Sequence, residues 1–237
     1  MPRETIGEIE CPPIGRVRIR IKSVASSRNF KMWADSPTSA VLTKPARAPI
    51  AEAMDFVRAN LGWLAGALQK AVAPTPLWEY LEKNPKIELE ESNLQVWLKP
   101  TSASGFFVRT KTELGIVYED GAKKESVEKL FRDFARGEIG REITKISEQV
   151  GLGFSRISVR DQKGRWASRS SSGGLSFNWR IMLLPLELRK YIYFHELAHV
   201  RFMNHSTEFW IFLNRLYPQA RRRDAQLKTH TQIISVG

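Results

Sequence analysis

The sequence predicts an α+β protein with a β-rich N-terminal part, followed by helices and by one late strand-then-helix unit that carries histidines. Three observations point there. Residues 16–22 alternate strictly between basic and apolar, the period of a half-buried strand. Residues 124–150 repeat apolar side chains at three- and four-residue intervals, the period of one helix face. Residues 195–199 read His-Glu-Leu-Ala-His, which puts two imidazoles four apart.

Taken in order, residues 1–13 end in Cys-Pro-Pro and are expected to form a flexible N-terminus. Residues 14–120 are expected to be β-rich with one helix. In 16–22, Val17, Ile19 and Ile21 face one way and Arg16, Arg18, Arg20 and Lys22 the other. Runs 30–33 and 40–44 read as two more strands, joined by a turn at Asp35-Ser36-Pro37-Thr38. Residues 51–71 read as one helix with Met54, Val57, Leu61, Leu64 and Leu68 on its stripe, ended by Pro74 and Pro76. Runs 94–98, 105–108 and 114–118 suggest a small antiparallel sheet.

Residues 121–218 are expected to form the core that carries the chemistry. Its long helix runs through Val127, Phe131, Phe134, Ile139 and Ile143, with bends expected at Gly137 and Gly140 and a stop at Gly151. Strands follow at 154–161 and 175–183, with a mobile loop at 168–174 between them. Residues 209–216 form a short apolar stripe, and 219–237 read as a basic C-terminal tail with Arg221–Arg223 and Lys228. No internal repeat or low-complexity segment stands out.

The formal net charge is +12 and the pI about 10.0, so polyanions, acidic peptides or an anionic surface are expected to be attracted. Residues 11–48 hold eight Lys or Arg against Asp35 alone. Cys11 is the single cysteine, which excludes a disulfide framework and a Cys-ligated metal and fits a reducing cytoplasm. The start, MPRETIGEIE, lacks a signal-type apolar run. The stretch IMLLPL is too short to span a bilayer, so no transmembrane segment is expected and the location expected is cytoplasmic.

Residues four apart on a helix lie on one face, so His195 and His199 can reach one ion. Glu196 projects about 100° round the helix, close to that ion without becoming a ligand. A straight helix would carry His205 about 15 Å further, so the helix must stop after His199 and the chain fold back, with Asn204 the candidate left-handed residue. Three histidines with a free fourth position describe a catalytic zinc site rather than a closed structural one. Zinc would lower the pKa of its water, and Glu196 would take the proton as general base. In zinc peptidases a strand edge before such a helix aligns an extended substrate; 176–179 is the candidate edge.

The run from Arg160 to Trp210 resembles the YgjP-like metallopeptidases. Arg165-Trp166, Asn178-Trp179-Arg180, His195 to His199, Asn204-His205-Ser206 and Phe209-Trp210 match that family's motifs in order and spacing. Ala167 stands where the family usually has glycine and Arg169 where it commonly has cysteine, and neither is a presumed ligand. The resemblance implies a zincin-like catalytic core, an edge strand followed by the metal-binding helix, and peptide hydrolysis. The eleven-residue histidine spacing is shared with the metzincins, but Phe202 stands where they need glycine, and no methionine follows Met203.

The substrate-binding candidates are Arg165, Trp166, Asn178 and Arg180, and the oxyanion donors Arg180, Tyr191 or Tyr193. A rival reading is a nucleoside triphosphate pyrophosphatase. Residues 154–180 carry six Lys or Arg against Asp161 alone, and a triphosphate would use such a cluster. Arg165, Arg169 and Arg180 would then clamp phosphates while Trp166 stacks on the base. A third is a nucleic-acid-binding zinc module, against which Glu196 stands, because a structural ion has no use for a general base.

Overall fold

The computed structural model describes residues 4–71, 75–162, 164–230, 233 and 236. The chain gathers into two compact units, Met1–Pro74 and Thr75–Gly237. The first contains β1 (Glu4–Cys11), β2 (Gly15–Val24), β3 (Lys31–Ser36), β4 (Ser39–Pro45), α1 (Ile50–Ala59) and α2 (Leu61–Lys70). Its sheet has the order β1-β2-β4-β3, with β2 and β4 parallel.

The expected flexible N-terminus is a strand from Glu4 onward, paired antiparallel with β2. The reason is a second period-two alternation. Cys11 is buried, Ile9 packs against the core, and Glu8 and Glu10 stand opposite Arg18 and Arg16. Arg20 binds Asp35. The basic face of β2 therefore meets acids within its own sheet. Val17, Ile19, Ile21 and Leu42 pack on Val57, Leu64 and Leu68, each worth about 1.5–3 kcal/mol when fully buried. The expected single helix is two. Asn60 leaves the helical region (φ −116°, ψ 23°), and its side-chain amide donates to the Phe56 carbonyl at 2.8 Å, competing with the helical ladder.

The second unit contains α3 (Leu77–Lys83), β5 (Lys86–Glu88), β6 (Asn93–Thr101), β7 (Phe106–Arg109), β8 (Glu113–Glu119), α4 (Lys123–Val150), β9 (Arg156–Arg160), β10 (Ala167–Arg169), β11 (Gly174–Asn178), a 3-10 helix (Trp179–Leu183), α5 (Leu186–Ala198), α6 (Thr207–Leu216) and α7 (Ala220–Lys228). Residues 75–120 thus cluster with the C-terminal part, because Leu94, Leu114 and Ile116 share one core with Phe131 and Phe134 of α4. The β5-β6-β8-β7 sheet repeats the strand order of the first unit. It is mixed rather than antiparallel, since β6 and β8 run parallel. Gly115 is required there: a Cβ would meet the Trp97 ring at 2.2 Å.

α4 continues through Gly137 and Gly140 for 28 residues and ends at Gly151, which takes the left-handed conformation (φ 65°). Three strands follow in the order β10-β11-β9, with β9 parallel and β10 antiparallel to β11. β11 is therefore the central strand, and the expected edge at 176–179 is paired on both sides. The free edge belongs to β10. Residues 170–173 form a tight turn, closed by Gly173 N–H donating to the Ser170 carbonyl and Ser170 N–H to that of Gly174. The chain does not stay extended to residue 183: the Asn178 side chain accepts from Arg180 N–H at 3.1 Å and starts the 3-10 helix. The expected tail contains α7, which docks through buried Ala220 and Leu227. Among the described residues no helix is long and apolar enough to cross a membrane.

Candidate metal centre

α5 is held from its inner face. Leu188, Ile192, Tyr193 and Leu197 are buried. Arg189 is fully buried between Glu142 of α4, which it meets through Nε at 2.8 Å and Nη2 at 2.9 Å, and the Glu88 carbonyl. The helix closes at His199 (φ −65°, ψ −5°). There Val200 and Arg201 N–H donate to Leu197 and Ala198 carbonyls in a tightened last turn. Asn204 is not left-handed; Gln219 is the single described non-glycine residue with positive φ. The reversal is made instead by those tightened bonds and by Ser206, whose hydroxyl accepts from Phe209 N–H at 3.4 Å and caps α6. His205 stands immediately before that cap.

His195, His199 and His205 each offer a ring nitrogen, and these donor atoms lie within 4.8 Å of one another. The His199 Nδ1–H donates to the Phe202 carbonyl at 2.8 Å, which leaves Nε2 with its lone pair. The Tyr191 hydroxyl donates to Asp224 Oδ1 at 3.0 Å, so its oxygen accepts from His195 Nδ1–H at 3.2 Å. His195 Nε2 then faces His205 Nε2 at 3.0 Å. Burial, then the neighbouring His199 and His205, hold the His195 imidazole down at about 3, the neutral form a metal needs. Two ring nitrogens aimed at each other, with the opposite nitrogens of His195 and His199 tied to protein acceptors, fit a shared cation. The Phe209 ring packs against all three imidazoles, with centroids 4.7–5.1 Å away.

Glu196 is only 5% exposed, and its Oε2 has no hydrogen-bond partner among the described residues. Burial raises its carboxyl to about 7, with Arg169 and then Arg165 drawing it back down. Arg169 ends β10 and tucks its guanidinium beside Gly173, where an added Cβ would approach Nη2 to 3.4 Å.

The other expected substrate residues divide. Arg165 lies in the field of Glu196. Trp166 is half-buried against the core, and its carbonyl accepts from Asn178 N–H at 2.7 Å. Asn178 is fully buried and braces the preceding loop, donating to the Gln162 and Arg165 carbonyls at 2.7 and 3.3 Å. Arg180 is fully buried on Asp161 and the Val236 carbonyl. These two hold the scaffold and present no group to a substrate. Tyr191 supports His195 and donates its hydroxyl proton to Asp224, and the Tyr193 hydroxyl donates to Glu142 at 2.8 Å, so both hydroxyl protons are engaged within the protein. Two further residues serve the site, Asp224 and Phe209. Phe209 lay in the apolar stripe, whereas no spacing marks Asp224 as a partner of Tyr191.

The model of the YgjP-like family, described as a metallopeptidase domain, matches residues 28–230. Two solved structures are similar over a smaller part. The metallopeptidase zymogen abylysin of Pyrococcus abyssi is 23% identical, with 40% of this chain and 95% of that chain covered and a TM-score of 0.36. The zymogen jannalysin of Methanocaldococcus jannaschii is 24% identical over 40% and 96%, with a TM-score of 0.35. No curated protein matches the chain significantly.

Proposed function

Because the chain belongs to the YgjP-like metallopeptidase family, we propose that it is a zinc peptidase in which Glu196 moves the proton and the free edge of β10 aligns the substrate. His195, His199 and His205 would hold the ion, and three neutral imidazoles without thiolate suit zinc in a catalytic setting. Bound there, zinc supplies Lewis acidity that acidifies water and polarises the scissile carbonyl. Glu196 Oε2 takes the proton from the attacking water and delivers it to the leaving nitrogen. Its burial suits both halves, since a carboxyl near 7 accepts and returns a proton at neutral pH.

β10 orients the peptide. In its antiparallel ladder, residues 166 and 170 bond inward to β11, so alternation turns the N–H and C=O of Ala167 and Arg169 outward. An extended peptide pairing there runs beside α5. The observation that supports the reading most is the buried, unpartnered Glu196 Oε2 one residue from His195.

Zinc-loaded protein incubated with casein and mixed peptides, with and without chelator, tests it. Chelator-sensitive cleavage is expected. Glu196→Gln should keep zinc and fold while losing about 10²–10⁴-fold in turnover. Absence of any peptide cleavage, or wild-type rates in Glu196→Gln, would overturn it.

A further inference from the structure

Across β10, β11 and β9, Ser168, Ser176 and Ser158 stand in one register row on the sheet face opposite the core. They floor a groove of about 320 Å³, with Arg156, Arg160 and Arg165 on its walls and no carboxylate among its described lining residues. Several buried or half-buried arginines of this unit are paired with acids, among them Arg109 with Glu138, Arg132 with Glu128 and Arg189 with Glu142. Among the described residues Arg156, Arg160 and Arg165 make no direct ion pair, and only Arg165 feels an acid, Glu196, through its field. Gly174 serves the arrangement, because Arg156 lies across it and a Cβ would meet Arg156 Nε at 3.2 Å. Three like charges gathered over hydroxyls, none of them in a direct ion pair and with no carboxylate among the described lining residues, favour an anionic ligand.

The neighbouring free edge says which anion. A strand added to β10 places its side chains on the same faces as the residues they stand opposite. The substrate residue opposite Ala167 or Arg169 faces α5, whereas the residue opposite Ser168 projects over the arginine groove. We propose that this groove is a subsite for a carboxylate side chain, so that the enzyme selects peptides with Asp or Glu at the position paired with Ser168. The inference rests on the edge-strand reading above.

Calorimetry on zinc-loaded, full-length Glu196→Gln protein tests it. The ligands are an octapeptide with Glu at alternate positions and the same peptide with Gln. The Glu peptide is expected to bind about 10–100-fold more tightly at low salt, the range for a charge-assisted hydrogen bond. Arg156→Ala/Arg160→Ala, checked for an unchanged melting temperature, should bring the ratio close to one. Should that double variant not fold, Arg165→Glu serves, with the preference expected to shift from Glu toward a Lys peptide. Equal binding of the two peptides, or a ratio that no folded variant moves, would refute the subsite. So would tripolyphosphate displacing the Glu peptide at lower concentration than the peptide itself requires, because the groove would then be a phosphate site. Acid-selective binding without cleavage of the Glu peptide by wild-type zinc protein keeps the subsite and removes the peptidase reading, so the two fail separately.

Discussion

His195 Nε2 and His205 Nε2 face each other at 3.0 Å, although ten positions and a helix end separate them. Neither nitrogen has another hydrogen-bond partner among the described residues. The pair defines where a cation would sit, and it gives the first prediction. His205→Ala should weaken zinc by more than the roughly 10–100-fold that loss of a supporting residue costs. It should leave folding intact, because His205 is exposed in the connection just before α6. Competition against a chromophoric chelator measures this, and unchanged affinity would refute the three-histidine site.

Asp224 reaches the site through the Tyr191 hydroxyl. Tyr191→Phe removes the acceptor that holds His195 Nδ1–H, and Asp224→Asn weakens the acceptor behind it. Each should reduce zinc affinity about 10–100-fold. The double variant should cost less than the two effects combined, since both act on one chain of bonds. Fully additive losses would mean that the two residues act independently.

Phe209 is wholly buried against the three imidazoles. Phe209→Ala should cost about 3–5 kcal/mol in urea unfolding of the metal-free protein, from lost burial plus the cavity. Zinc binding should weaken as well, because the rings lose their packing partner. A change below about 1 kcal/mol would show that the site collapses to fill the space.

Breaking the buried Arg189–Glu142 pair by Arg189→Met should destabilise by about 3–5 kcal/mol, because Glu142 is left uncompensated. Arg189→Met/Glu142→Leu should recover part of that loss. Full recovery is not expected, since the Tyr193 hydroxyl then loses its acceptor. Chemical denaturation of both variants decides, and a double variant less stable than the single would contradict the account.

Much of the site was legible because its information is local. The spacing of His195 and His199 states a shared helix face, Glu196 is adjacent to one of them, and the length of chain to His205 demands a reversal. The alternation in β2 and the periodicity of α4 name their own buried faces in the same way. Even β1 was readable, through the alternation from Glu4 to Cys11, had Cys-Pro-Pro not suggested a loose lead-in.

By itself, then, the sequence determined which faces are apolar, where a metal-binding helix lies, and which side chains carry the chemistry. Only the tertiary structure decided which strand is central and which is an edge, since β11 and β10 differ in their partners rather than in their own pattern. It also made Asn178 and Arg180 braces, and brought Asp224 to Tyr191 across 33 positions. The physical reason is that a period of 2 or 3.6 reports one element's own orientation. Strand order, buried ion pairs and supporting hydrogen bonds depend on which distant surfaces pack together, and no local spacing encodes that choice.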